Sequence, residues 1–445
     1  MTARTAGSSK KVSFARRPLV RAAAALVAGG LLTSAAAVAA DWTEYRGPAN
    51  DGHSADVGIA KGFAANPKIA WQAPVGEGLG TFAVAGNTAF LYTADGGKET
   101  LVAMDAATGK RKWATAIDGL ISKSDDQGGN SPRCTPAVDG ENVYVLSVNL
   151  KLACLEAASG KVKWTKDIKQ DMGGTVINWG NACSPVIDGD KIFVGGGGAG
   201  KSLIAFNKAT GDVVWAKGDE KPTHASPVVA TLHGVRQVIF FMQSGLVSLA
   251  VDDGRELWRG KFKYNVSTAA SPVVAEDLNI VYCSAGYDVG TARFEIAKSG
   301  DAFTATPMKF LDYEKPKGHN VNHWSTPVYH NGYVYGIFGF KDYAGGKKGG
   351  PGAPVGCMDI KTGEFKWRQP GFGSGGGTIF VDGHLLVQGD GGRLALIEAT
   401  PNGYKEKASA NLPGERFWSA AIVANGKIYV KNKTTAFCID VGGGK

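Results

Sequence analysis

Apolar residues recur along this chain in short alternating runs, and the runs come in a fixed order. In one unit the order is Thr135-Pro136-Ala137-Val138, the turn Asp139-Gly140, Val143-Tyr144-Val145-Leu146, Leu152-Ala153-Cys154-Leu155, the turn Ser159-Gly160, and Trp164. Such alternation between Gly-containing turns predicts antiparallel β-strands, four to a unit. The segment AMDAATGKRKW at 103–113 returns as CLEAASGKVKW at 154–164 and AFNKATGDVVW at 205–215. Third strands begin near 101, 152, 203, 246, 294, 355, 394 and 434, which makes eight units. Repetition at this period predicts an all-β fold, an eight-bladed β-propeller with four-stranded antiparallel blades.

Two units break the pattern informatively. The fifth and seventh lack the Trp, and the eighth stops after Phe437-Cys438-Ile439-Asp440. A matching strand, Ile69-Ala70-Trp71-Gln72, lies near the other end of the chain and is expected to complete the last blade, fastening the ring and leaving no open edge. The recurring Trp113, Trp164, Trp215, Trp258 and Trp367 are expected to fill the wedges between diverging blades. The Trp missing from unit five is expected to leave room for the insert at 311–324.

The chain divides into an export signal at 1–40, a leader segment at 41–65 and the propeller at 66–445. The signal reading rests on six Lys and Arg, including Arg16-Arg17, ahead of an apolar Ala/Leu/Val run ending in Val38-Ala39-Ala40. The Arg16-Arg17 pair leaves the twin-arginine and the ordinary secretory routes both open. No Cys follows the cleavage region, so no lipid anchor is expected, and no other run is long enough to cross a bilayer. Without residues 1–40 the 49 Lys and Arg fall to 43, against 40 Asp and Glu. That near balance excludes nucleic acid as an expected partner. A periplasmic or secreted monomer is expected.

Five of the six cysteines fall at repeat positions that elsewhere hold Ala or Ser. Cys154, Cys357 and Cys438 share one position, and Cys134 and Cys183 another. Small buried side chains account for them, although Cys134 and Cys183 lie in neighbouring units where a bridge is also conceivable.

Strand order puts the blade-to-blade loops, and the loops between second and third strands, on one face. That face carries the variable lengths 118–132, 169–181, 311–324 and 338–354, and binding is expected there. Residues just before each innermost strand should ring the channel mouth: Arg133, Asn181, His224, Thr268, His323, Trp324, Ser374, Phe417 and Trp418, with Arg416 beside them. Of these, Arg133, Asn181, His224, His323, Trp324 and Trp418 are the candidate binding residues. Asp125, Asp126, Asp171, Asp288 and Asp342 also fall on this face, with no catalytic pair evident. His319 and His323 are four apart but lead into a strand and lack a third ligand, so no metal is assigned. The run GGGGAGKS at 195–202 satisfies a phosphate-loop pattern, but the strand Leu203-Ile204-Ala205-Phe206 follows where a helix is required. Lys347-Lys348 reads as a loop tip.

At the turns Asp105-Ala106-Ala107-Thr108-Gly109 with Trp113, Ser159-Gly160 with Trp164, Thr210-Gly211 with Trp215 and Thr362-Gly363 with Trp367, the chain resembles the PQQ-like β-propeller repeat proteins. The leader Trp42-Thr43-Glu44-Tyr45-Arg46-Gly47-Pro48 is similar to the Trp-Arg-Gly-Pro opening of exported members. The resemblance implies one of two functions. The BamB-like branch implies a cell-envelope scaffold with no cofactor and a periplasmic or outer-membrane protein partner, and this reading is favoured. The quinoprotein branch implies an alcohol or sugar dehydrogenase with pyrroloquinoline quinone (PQQ) and calcium, but the adjacent-cysteine disulfide of that branch is absent from this sequence.

Overall fold

The computed structural model describes residues 40–63, 67–120, 132–308, 311–312, 320–339 and 352–442. Among them, eight four-stranded antiparallel sheets succeed one another in a ring, the propeller that the repeat predicts. Blade 1 runs from its innermost strand outward as Ala83–Ala85, Thr88–Asp95, Lys98–Asp105 and Arg111–Gly119. Third strands of the next blades include Lys151–Glu156, Leu203–Asn207 and Gly245–Ala250, close to where the repeat sets them. The outer strand of blade 8 is Lys68–Pro74, antiparallel to Thr435–Asp440 with Trp71 opposite Cys438. Helix is confined to Ile59–Gly62 and Ile168–Met172 among the described residues. The stretch after Gly195 is a turn leading to the strand Leu203–Asn207, so the glycine-rich run serves as a hairpin loop.

Inside each blade the small third-strand residue is a spacer. Cys154 lies between Tyr144 and Trp164, Ala205 between Phe193 and Trp215, and Cys357 between Tyr335 and Trp367. The two rings meet over the spacer with centroids 5.7–6.3 Å apart. A larger third-strand side chain would separate them and forfeit their mutual burial. All six cysteines are buried free thiols, so Cys134 and Cys183 are not bridged.

Between blades the Trp of one unit covers the turn glycine of the next. A Cβ on Gly109, Gly160 or Gly254 would lie 2.5–2.6 Å from the ring of Trp71, Trp113 or Trp215. Each of these glycines has φ near +70°, so the position selects Gly twice over. The indole N–H of the same three rings donates to the carbonyl of Ala106, Ala157 or Val251 at 3.0 Å. Trp258 departs from this, donating within its own blade to Gln237 Oε1 at 2.6 Å.

In blade 5, which lacks the Trp, the wedge toward blade 6 is filled by two side chains from elsewhere. One is Arg293, from the third strand, whose Nη1 donates to the carbonyls of Ile360 and Lys361 at 3.0 and 2.7 Å. The insert begins as Leu311–Asp312, which pairs with Gly290 and Thr291, and Leu311 packs against the buried cluster that Tyr282 of blade 5 shares with Val334 of blade 6, as expected for the described start of the insert. Its continuation at 313–319, with His319, lies outside the described residues, as do 1–39, Asp125, Asp126, Asp342, Lys347 and Lys348.

The Ser/Thr-Pro positions form a belt around the channel. The backbone N–H of Thr81, Thr135, Ser184, Ser226 and Ser271 donates to the hydroxyl of Thr135, Ser184, Ser226, Ser271 and Thr326 respectively, at 2.9–3.1 Å. Each hydroxyl thereby satisfies an amide of the preceding blade that no strand pairs. Gly377 and Ala420 occupy the equivalent places in blades 7 and 8, and the belt stops there.

Candidate functional site

The innermost strands present unpaired amides to the channel, and the leader segment covers them. Trp42 exchanges backbone bonds with Val84, while Val138 N–H donates to Thr43 O and Phe380 N–H to Gly52 O, at 2.7–3.0 Å. Ile187 N–H donates to Glu44 Oε2 at 3.2 Å and Val229 N–H to Asn50 Oδ1 at 3.3 Å. Arg46 fixes the leader to blade 6, donating to Thr326 O at 3.2 Å and Pro327 O at 2.7 Å. Burial pushes the Glu44 carboxyl up to about 8. Since these contacts fall further along each inner strand than the mouth residues do, the leader is the floor of the channel.

Above that floor lies a cavity of about 480 Å³. Trp42, Tyr45 and Arg46 line its deep end, and Arg133, His224, Ser374 and Trp418 are among the residues at its mouth. Aromatic rings follow one another around the mouth. Trp179 stacks on Tyr287 at 6.5 Å, Tyr287 meets His323 edge-on at 5.0 Å, His323 meets Trp324 at 4.7 Å, and Trp324 meets Trp418 at 5.6 Å. Trp179 and Tyr287 both hold positive φ, +63° and +54°, a strained conformation for bulky residues that the surrounding loops impose.

Two titratable groups on the wall are set by burial. His224 Nε2 bonds the carbonyl of Asn178 at 2.9 Å and its Nδ1 faces the Ser267 hydroxyl at 3.0 Å. Donation to a carbonyl fixes the proton on Nε2 and leaves Nδ1 as the acceptor. Burial lowers this imidazole to about 4, with Arg133 nearby adding to the effect, so it is neutral at physiological pH. Asp390, raised by burial, accepts the indole N–H of Trp418 at 2.7 Å. It is the one carboxylate among the described residues of the cavity wall.

Of the sequence-derived candidates, Arg133, His224, His323, Trp324 and Trp418 line this cavity together, with Ser374. Asn181 is buried beside it, its side-chain amide donating to Val148 O at 3.0 Å. Phe417 belongs to the hydrophobic core, and Thr268 is buried off the wall. Sequence reasoning missed Trp179, Tyr287, Asp390 and the leader's Trp42, Tyr45 and Arg46. Tyr287 and Asp390 sit between second and third strands, on the face already marked for binding, so a scan of those loops would have found them. Asp171 is exposed on the short helix Ile168–Met172, and Asp288 is exposed beside Tyr287.

PQQ and calcium can be weighed against these side chains. The aromatic arc and Arg133 suit a flat, acidic ring system. The calcium ion, which is usually held by more than one carboxylate together with carbonyl oxygens, finds a single carboxylate, Asp390, on the described wall. No cluster of three or more His, Cys, Asp or Glu side chains able to hold a metal occurs among the described residues.

Comparison with known proteins agrees with the fold. BamB from Moraxella catarrhalis is 14% identical with a TM-score of 0.58, over 84% of this chain and 98% of that one. The quinohemoprotein alcohol dehydrogenase ADHIIG from Pseudomonas putida HK5 is 13% identical with a TM-score of 0.62, over 91% of this chain and 81% of that one. The computationally designed Ika8 protein is 11% identical with a TM-score of 0.54, over 84% of this chain and all of that one. Likeness at such identity speaks to fold alone. No curated protein matches the sequence. A family model described as outer membrane protein assembly factor BamB matches residues 61–120 and 120–311, more than half of the chain, and the protein therefore belongs to this BamB-like family of PQQ-repeat propellers.

Proposed function

We propose that this protein is an exported, non-catalytic binding propeller of the cell envelope, engaging its partners through the loop face around the channel mouth. The observation that carries the reading is the donor set of the cavity. Its single described carboxylate, Asp390, is engaged by Trp418, and the imidazole of His224 is engaged at both nitrogens, by the Asn178 carbonyl and the Ser267 hydroxyl. A rigid ring with an aromatic and cationic rim has what a binding surface requires. The export signal at 1–40, the periplasmic or secreted location, and an envelope protein as partner all belong to this proposal. No helix among the described residues is long and apolar enough to cross a membrane.

A quinone-dependent alcohol or sugar dehydrogenase is the second reading, favoured by the aromatic arc and Arg133. In that case Arg133, Trp324 and Trp418 would hold the quinone, which supplies the oxidant when bound. Titrating residues 41–445 with PQQ, with and without calcium, tests the choice by absorbance, melting temperature and dye reduction with alcohols and sugars. No quinone-dependent dye reduction is expected, while photo-crosslinkers at Tyr287 and Arg416 should trap a discrete envelope protein in cells. Quinone-dependent turnover would overturn the binding reading.

A further inference from the structure

The channel wall holds buried donors that no described residue satisfies. Trp42 Nε1, Arg46 Nε, Ser325 Oγ and Thr378 Oγ1 belong to residues only 0%, 5%, 2% and 1% exposed, all on the cavity wall, and these atoms have no hydrogen-bond partner among the described residues. Trp324 Nε1 is a fifth. A buried donor left without an acceptor is destabilising, and all five belong to residues that line one cavity, which argues for acceptor atoms inside it.

Charge points the same way. The other donors of Arg46 reach only the carbonyls of Asp51, Thr326 and Pro327, and no carboxylate is ion-paired with this guanidinium among the described residues. A buried guanidinium whose bonds are all to neutral oxygens retains its full charge, and an anion in the cavity would compensate it. Asp390 does not serve, since it already accepts from Trp418. The rest of the wall includes Leu79, Ala269, Ile379 and Ala420, which favours an organic body over a bare inorganic ion. Space for that body exists in the cavity of about 480 Å³.

We propose that the channel floor binds the carboxylate of a small organic acid, received by Arg46, Ser325 and Thr378, with the body of the acid lying along the apolar wall toward Trp324 and Trp418. This rests on the binding reading above and names a ligand class for it. Three of the residues involved, Arg46, Ser325 and Thr378, lie outside the region matched to the family model.

The test uses residues 41–445 without metal or quinone, titrated with benzoate and 2-naphthoate by calorimetry and thermal melting. The corresponding neutral amides and inorganic phosphate serve as comparison probes. The acids should bind and raise the melting temperature, with the amides weaker by about tenfold or more. Thr378→Val keeps the shape of the wall and removes one donor; together with Ser325→Ala it should cost the acids about tenfold in affinity. Arg46→Gln should abolish binding of the acids, and should it fail to fold, the other two variants decide alone. Equal binding of acid and amide, binding of phosphate only, absence of acid binding at about 10 mM, or full affinity in the Thr378→Val, Ser325→Ala protein would each overturn the proposal. Quinone-dependent turnover would defeat the binding reading, whereas failure of these quinone-free titrations defeats only the acid site.

Discussion

The guanidinium of Arg293 lies over Gly363 in the turn of the next blade, the place that Trp71, Trp113 and Trp215 occupy over Gly109, Gly160 and Gly254. A Cβ on Gly363 would come within 2.9 Å of Arg293 Nη2. The arginine reproduces both functions of the indole, covering the glycine and donating to the carbonyls beside it. Arg293→Met should therefore destabilise the protein by about 2–4 kcal/mol, because the carbonyls of Ile360 and Lys361 lose a buried donor. Denaturant unfolding measures this, and a loss below about 0.5 kcal/mol would remove Arg293 from the blade interface.

Gly160 offers the complementary test. Its φ of +73° disfavours any Cβ, and the nearest atom of Trp113 would be 2.5 Å from one. Gly160→Ala is expected to cost about 2–4 kcal/mol by strain and displaced ring together. Gly86 also has positive φ but faces open space. Gly86→Ala should cost only about 1 kcal/mol, and equal losses at the two sites would mean that ring contact contributes nothing.

The Ser/Thr belt makes Ser184 a structural residue. Its hydroxyl accepts from Thr135 N–H, so Ser184→Ala strands a buried amide at a cost of about 1–3 kcal/mol. Hydrogen exchange at Thr135 should accelerate, and unchanged protection would show that the belt is not holding that amide.

His224 makes stability depend on pH in a defined direction. Its folded value of about 4 lies below the ordinary 6.5, so between those values the unfolded chain binds more protons than the native one. Stability should thus be full above pH 6.5 and decline as pH falls toward 4, by up to about 3 kcal/mol from this group. In His224→Gln the decline across this window should shrink by that amount, read from denaturant midpoints at pH 4, 5, 6 and 7. A variant that follows the same curve as the parent would mean that the imidazole titrates normally in the fold.

What was readable from sequence is whatever short-range pairing decides. Within a blade the strands are joined by tight turns, so Asp139-Gly140 and Ser159-Gly160, with alternating apolar runs between them, suffice to specify the hairpins of blade 2 and, by repetition, the other blades. The spacer role of Cys154 and the wedge role of Trp113 follow from that repetition. The site does not repeat. Its floor comes from Trp42 and Arg46, and Arg46 reaches a carbonyl 281 residues away at Pro327, a contact that no local pattern encodes. Its rim comes from loops of unequal length, where Trp179 and Tyr287 meet only because the ring brings two separate loops together. Asn181 sits at the same repeat position as residues that line the cavity, yet it bonds Val148 because that is the acceptor its own connection places nearest. Sequence alone determined the blades because hydrogen bonding and burial within them are local, whereas the composition of the channel was decided only when the leader and eight separate loops converged on one axis.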